Sequence, residues 1–323
     1  MTKYVISGYI GFDNFGDEAI VKVLTSHLKS LNAEKITVLS SNPKKTAKLY
    51  DVFSVNFLKF IQPIIKSDVL ISGGGSLLQD VTSLKSLIYY LAVIVTALVF
   101  NKKVVIFAQG FTPFRTFWGE FFTKFVLKYC HKIYVRDEKS FQQLLKMGIN
   151  SEIISDPVFD FEIKKNENKK GVGVQLRSFS GLNDKFLKNL AEEIIKNFPN
   201  HEIKLFSLQD SLDLETVLKF AEILKENNQN CQIYQNMDIE EVITKISEIE
   251  YFIGMRFHSC LIASKAGAKV LGINYDIKVK NLSEKIGFPI LELKEDFIDE
   301  KIQALKNIDI TKYQNPKFEM PEL

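Results

Sequence analysis

Short apolar runs alternate with amphipathic stretches along the whole chain, the pattern of parallel α/β structure. In the first half the apolar runs predict strands at Lys3–Ser7, Lys35–Leu39, Val52–Val55, Asp68–Ser72, Lys103–Gln109 and Lys132–Arg136. Helices are expected at Asp17–Leu31, Phe57–Lys66, Ser83–Phe100, Phe117–Tyr129 and Glu138–Met147. From Ile163 to Lys170 the chain is polar and charged with no apolar period, the best linker in the sequence. A second alternation follows, with strands at Gly171–Leu176, Glu202–Phe206, Gln232–Tyr234, Tyr251–Gly254 and Lys269–Ile273. Its helices are expected at Asp184–Asn197, Leu214–Glu226, Ile239–Glu248, Phe257–Ala266 and Val279–Ile286, with a last one at Ile298–Lys306. The expected architecture is therefore two Rossmann-like α/β domains, 1–165 and 166–323, with a crevice between them. The polar tail is expected to return to the first domain.

One segment departs from the surface-helix pattern. Leu87–Phe100 is apolar around its whole circumference, yet at this length it is too short to span a bilayer, so a buried core helix is expected. Phe111–Tyr129 adds a dense run of aromatics with Arg115, Lys124 and Lys128 among them. Aromatics interleaved with bases suit a membrane-surface face as well as core packing. Both readings stand at this point.

A chain of 323 residues, 46% hydrophobic and 25% charged, is an ordinary globular composition long enough for two cores. The net charge of +3 gives no argument for a nucleic-acid partner, and no basic run carries stacking aromatics of the kind single strands need. Three scattered cysteines without CxxC spacing, and a chain that passes from Met1 into a strand, suggest a cytoplasmic protein.

Charge becomes informative by type. Of 42 basic residues only Arg115, Arg136, Arg177 and Arg256 are arginine, and the last three each close an apolar run. Strand carboxyl ends line the ligand crevice of an open α/β sheet, and arginine grips carboxylate or phosphate with a planar fork that lysine lacks. A small anionic ligand is expected; for any one arginine, a bridge to a neighbouring acid is the competing reading.

Glycine-rich turns follow three predicted strands. The first, Gly8 to Glu18, lacks the GxGxxG order and sets Asp17 and Glu18 at a helix start, which disfavours a pyrophosphate there. These acids suit either the helix dipole or sugar hydroxyls, alongside Asn14. The second turn holds Gly73, Gly74, Gly75 and Ser76, and the third is Ala108-Gln109-Gly110. In the second half, Gly254-Met255-Arg256-Phe257-His258 puts Arg256 and His258 in a strand-to-helix turn, a position for anion binding or proton transfer. Lys278 follows a further strand end. No HExxH, cysteine cluster or DxD run is present, so no metal and no cofactor are expected.

Taken in order, GYIGFDNFGDEAI, SGGGSLLQD, AQG, YVRDEKS, SDPVFD, GVGVQLR, GMRFHSCLIASKAG and INYDIKVK resemble the polysaccharide pyruvyl transferase family over residues 3 to 290. They are similar to its cell-wall-anchoring branch, which pyruvylates N-acetylmannosamine on lipid-linked precursors. The resemblance implies two Rossmann-like domains in the GT-B arrangement, phosphoenolpyruvate as donor substrate, and a pyruvate ketal across O4 and O6 of a hexose as product. It implies donor-binding roles for Arg136, His258 and Lys278. Asp13 in the first loop, and Thr112 with Phe114 after AQG, depart from the pattern, both on the acceptor side.

The resulting expectation has His258 and Asp17 as catalytic residues, His258 donating a proton or stabilising the departing phosphate and Asp17, Glu18 or Asp13 acting as base. Arg136, Lys278, Arg256 and Arg177 bind phosphoenolpyruvate on the second domain's side. Asn14, Glu18, Gly74, Gly75, Ser76 and Gln109 bind a glycan or lipid-linked sugar acceptor on the first domain's side. Peripheral contact with the inner membrane face through Phe111–Tyr129 is expected as well. The alternatives are a GT-B glycosyltransferase using a nucleotide sugar, or a non-catalytic sugar- or anion-binding relative.

Overall fold

The computed structural model describes residues 1–81, 83–164, 166–293 and 297–323. Lys165, at which the expected domain boundary falls, lies outside the described residues. The chain forms two compact units: residues 1–160 with 317–323, and residues 161–316.

The first unit runs β1 (Lys3–Ser7), α1 (Phe15–Ser30), β2 (Lys35–Ser40), α2 (Pro43–Tyr50), β3 (Phe53–Asn56), α3 (Ile61–Ile65), β4 (Val69–Gly73), α4 (Leu84–Val99), β5 (Lys103–Gln109), α5 (Phe117–Leu127), β6 (Lys132–Val135), α6 (Glu138–Lys146) and β7 (Glu152–Ile153). Its sheet is parallel throughout, in the order β3-β2-β1-β4-β5-β6-β7. The order reverses between β1 and β4, where Ser7 lies in register with Ser72. In such sheets ligands bind outside the strand carboxyl ends at this switch point. Both glycine-rich loops, after β1 and after β4, meet there.

The second unit repeats the scheme: β8 (Val172–Gln175), α7 (Asp184–Asn197), β9 (Ile203–Phe206), α8 (Asp210–Glu226), β10 (Cys231–Tyr234), α9 (Ile239–Ser247), β11 (Tyr251–Gly254), α10 (Phe257–Lys265), β12 (Lys269–Asn274), α11 (Ile277–Ile286), β13 (Ile290–Glu292) and α12 (Ile298–Asn307). The parallel order is β10-β9-β8-β11-β12-β13, so this switch point lies between β8 and β11. A core of Val172, Val174, Leu190, Phe220 and Leu271 fills the space under α7, α8 and α12.

Helix starts follow capping chemistry. Asn14, Asn42, Ser83, Thr116, Asp137, Asn183, Asp238 and Asp276 each accept a backbone N–H of the first turn. Where the expected elements differ, α2 and the short edge strands β7 and β13 are additional. Phe57–Lys66 is not one helix but a 3-10 turn at Phe57–Lys59 followed by α3.

The helix α4 corrects the expectation of a wholly buried segment. Only one face packs on the sheet, through Leu87, Tyr90, Val93, Ile94 and Ala97. The opposite face leaves Leu84, Ile88, Val95 and Val99 exposed, because no further layer of this unit covers it. The aromatic stretch is divided likewise. Phe111 is buried in the core and Phe114 packs against it, while Phe117, Trp118, Phe121, Phe122, Phe125 and Tyr129 are exposed.

Candidate functional site

In the first unit the turn after β4 depends on glycine. Gly74 and Gly75 have φ of +75° and +71°, and a Cβ on Gly75 would stand 2.6 Å from Asp17 Oδ1. Asp17, in the first turn of α1, thus lies directly over this loop. Gly75 carbonyl accepts from Gly110 N at 2.8 Å, which ties the loop to the end of β5. A Cβ on Gly110 would in turn meet Arg136 Nη2 and Ser76 Oγ, each at 2.8 Å. Arg136 Nη2 itself is 3.4 Å from Ser76 Oγ. Asp17, Gly74, Gly75, Ser76 and Arg136 are therefore brought together at one switch point.

Arg136 is buried at 6% exposure and held by two acids, Asp156 at 3.8 Å and Asp137 at 3.6 Å. Asp137 also caps α6 by accepting from Ser140 N at 2.8 Å. Asp137 is the chain neighbour of Arg136, whereas Asp156 is a distant partner that the sequence does not pair with it. Its signal was the Ser-Asp-Pro turn after β7, where Asp156 Oδ1 accepts Val158 N and the carboxylate points inward.

Three of the expected acceptor residues lie below the surface a ligand would meet or close the loop itself. Gln109 is fully buried and donates from Nε2 to Ser72 O and Oγ, at 3.0 and 2.9 Å. It is set there by Ala108, whose φ of 49° accompanies a register break between β5 and β6. Glu18 is buried and accepts from Gly11 N at 2.6 Å and from the Tyr50 hydroxyl. Burial pushes the Glu18 carboxyl up from its ordinary value, against the lowering effect of these two bonds. Asn14 caps α1, accepting Gly16 N at 3.2 Å.

In the second unit the cations stand on three neighbouring strands. Gln175, Gly254 and Gly272 share one register across β8, β11 and β12. Arg177 follows β8, Arg256 and His258 follow β11, and Lys278 follows β12. His258 is in the first turn of α10 and Lys278 in the first turn of α11, where the helix dipole favours an anion. Both are half-buried; His258 packs edge-on against Phe257, and Lys278 Nζ lies 3.8 Å from Asp276. Arg177 Nη1 donates to the Tyr275 hydroxyl at 3.1 Å, and its guanidinium lies 5.0 Å from that ring's centroid.

Arg256 differs. It is 8% exposed, and its fork faces Asp213, which is fully buried. Nη2 also donates to Gln209 Oε1 at 3.1 Å. For this arginine the acid bridge, the competing reading of the sequence, is what the geometry shows. Gln175 continues the network, its Oε1 accepting Arg256 N at 2.7 Å and Ser259 Oγ at 3.2 Å.

A cavity of about 440 Å³ beside Arg177 is lined by Ser178, Phe179, Asp184, Glu215, Thr216 and Lys219; its two acids suit hydroxyls better than an anion. Cys260 is buried and Cys130 half-buried, and burial pushes both thiols up to about 12, which removes them as nucleophiles. Among the described residues no cluster of three or more His, Cys, Asp or Glu could hold a metal ion.

Solved structures share the fold at low identity. The UDP-GlcNAc 2-epimerase of Methanocaldococcus jannaschii matches with a TM-score of 0.67 at 13% identity, covering 97% of this chain and 94% of that one. A UDP co-structure of Staphylococcus aureus MnaA matches at 0.68 and 11% identity, covering 98% and 90%. A glycosyltransferase from Rickettsia africae matches at 0.63 and 13% identity, covering 97% and 91%. No curated protein matches in sequence. The model of the polysaccharide pyruvyl transferase family matches residues 14–277, a stretch that takes in Asp17, Arg136, Arg177, Arg256 and His258 and stops one residue short of Lys278. With that match over most of its length, and the parallel-sheet fold beneath it, the chain belongs to the polysaccharide pyruvyl transferase family.

Proposed function

We propose that the protein transfers pyruvate from phosphoenolpyruvate onto two hydroxyls of a hexose, as a 4,6-ketal on N-acetylmannosamine or a related sugar of a cell-surface glycan precursor. The observation that carries the donor reading is the placement of Arg177, His258 and Lys278 at the ends of three adjacent strands. Phosphoenolpyruvate presents a carboxylate and a phosphate close together, a pair that calls for several cations in one place. Arg177 and Lys278 take these anions. Arg136 is assigned to the donor on the family resemblance. Arg256, spent on Asp213, holds the turn that carries His258 and acts as a positioning residue.

In the reaction the donor's methylene carbon gains a proton and becomes a methyl group. The first sugar hydroxyl bonds to C2, the C2–O bond to phosphate breaks, and the second hydroxyl closes the ketal. One hydroxyl proton is balanced by that methyl and the other leaves on phosphate. His258 serves as proton donor or stabiliser of the departing phosphate. Asp17 over Gly75 serves as base toward the acceptor hydroxyls, with Ser76 beside it. Asn14, Glu18 and Gln109 shape the loops that present them. No resident metal or cofactor is assigned a part.

A second reading has one observation in its favour: structures of this fold are bound to UDP or UDP-sugars. Calorimetry with phosphoenolpyruvate against UDP-sugars separates the two. Phosphate release with acceptor present, and a pyruvate-ketal mass on the glycan, are the expected results. Tight UDP-sugar binding without response to phosphoenolpyruvate would replace the donor reading.

A further inference from the structure

We infer that the outer face of α4 and α5 is a docking surface for an anionic lipid bilayer. The helix α5 turns Phe117, Trp118, Phe121, Phe122 and Phe125 to solvent, from 47% to 73% exposed. Four of these rings are in mutual contact, Phe117 stacking on Phe121 at 6.0 Å and Trp118 on Phe122 at 5.9 Å, and Phe125 pairs edge-on with Tyr129 at 5.5 Å. It packs beside α4, whose outer face adds Leu84, Ile88, Val95 and Val99. Exposed apolar area of this kind marks an interaction site.

Charge selects the occupant. On and beside the two helices, Lys85, Arg115, Lys124 and Lys128 stand against the one exposed acid Glu120, while Asp80 is buried on the Arg115 and Thr116 amides. Arg115, Lys128 and Lys85 are exposed and Lys124 is half-buried at the rim of the rings. Aromatic side chains at headgroup depth with bases reaching acidic lipids are the composition of an interfacial helix. A second copy of the chain fits poorly, since a two-fold contact would press this positive surface against itself. The contact is peripheral: no helix among the described residues is long and apolar enough to cross a membrane. The inference is independent of which donor or acceptor the protein uses.

The chain contains one tryptophan, and Trp118 sits in the patch, so its emission reports docking directly. Vesicles of phosphatidylcholine with a minor fraction of phosphatidylglycerol should co-sediment the protein at low salt and shift Trp118 emission to the blue. Raising the salt should release it. Lys124→Ala/Lys128→Ala should lower the partition coefficient by about 30-fold, roughly fivefold per base. Phe117→Ser/Phe121→Ser should abolish the shift while leaving the melting temperature unchanged or higher, since both rings are already exposed. Unchanged emission with anionic vesicles overturns the inference, as does equal partition into vesicles of phosphatidylcholine alone. So does a dimeric mass by light scattering with emission already blue and unmoved by vesicles, which would assign the face to a second copy.

Discussion

Arg256 and Asp213 form a two-pronged ion pair inside the second unit, Nε lying 2.8 Å from Oδ2 and Nη2 2.6 Å from Oδ1. Asp213 also accepts Leu208 N and Gln209 N at 3.0 and 3.1 Å, so it is the hub of the pair. Asp213→Ala strands a buried guanidinium and two amides, and should cost about 3–5 kcal/mol in urea unfolding. Arg256→Met leaves Asp213 with its backbone donors and should cost less. Equal stability in Arg256→Met with loss of phosphoenolpyruvate binding would mean that Arg256 touches the donor itself.

For Arg136, the expectation is that Lys is nearly as damaging as Ala. Asp156 and Asp137 hold the guanidinium in one orientation, and a lysine keeps the charge without the fork. Loss of charge-assisted bonds should weaken phosphoenolpyruvate binding by about 10- to 100-fold in either variant, measured calorimetrically. Wild-type affinity in Arg136→Lys would remove the bidentate contact.

The pairing of Asp17 with Gly75 gives a test of the acceptor side. Asp17→Asn should lower turnover by about 100-fold or more while phosphoenolpyruvate still binds. Gly75→Ala should do likewise by pushing on the carboxylate, and should also cost about 1–2 kcal/mol for its left-handed backbone. Gly148→Ala is the control: its φ is +69° but nothing lies within 4 Å, so only the backbone cost applies. Normal turnover in Asp17→Asn would leave Asp17 as a residue of the helix start alone.

Asp80 links the β4 loop to α5, accepting Arg115 N at 2.7 Å, Thr116 N at 2.8 Å and Thr116 Oγ1 at 2.6 Å. Burial raises its pKa, but the Thr116 hydroxyl and the two backbone donors outweigh burial and hold it below the usual carboxylate value. A depressed folded pKa contributes stability above the unfolded value, lost as pH falls through the folded one. Asp80→Asn should therefore be less stable than wild type by about 1–3 kcal/mol at neutral pH, with the gap closing in acid. Melting temperatures of both proteins from neutral pH into the acid range check the sign.

The strand and helix order was legible because buried parallel strands read as apolar runs and helices as stripes. Tyr251–Gly254 and Asp184–Asn197 fall where expected to the residue. The helix α2 escaped because Pro43–Tyr50 buries only Thr46 and Tyr50, too little for a stripe. Arg136 and Arg256 were equivalent in the sequence, each closing an apolar run. What separates them is that the distant Asp213 takes the Arg256 fork at 2.6 and 2.8 Å, whereas Asp156 and Asp137 stand 3.8 and 3.6 Å from Arg136. Asp213 falls just ahead of the expected helix Leu214–Glu226; only the fold, in which α8 begins at Asp210, shows that it points inward. Glu18 was misleading for the same reason, since nothing near it in sequence announces Tyr50.

The tail has a consequence for how the chain is held. Residues 317–323 belong to the first unit, where Phe318 sets its ring edge-on to Phe107 and Glu322 carbonyl accepts the Tyr134 hydroxyl at 2.9 Å. Topologically the second unit is thus an insertion, leashed at both ends. A single proteolytic cut near residue 162 would leave the pieces tethered through the tail, and on the ribosome the first unit's surface at β5 and β6 stays open until the second unit and residues 317–323 have been made.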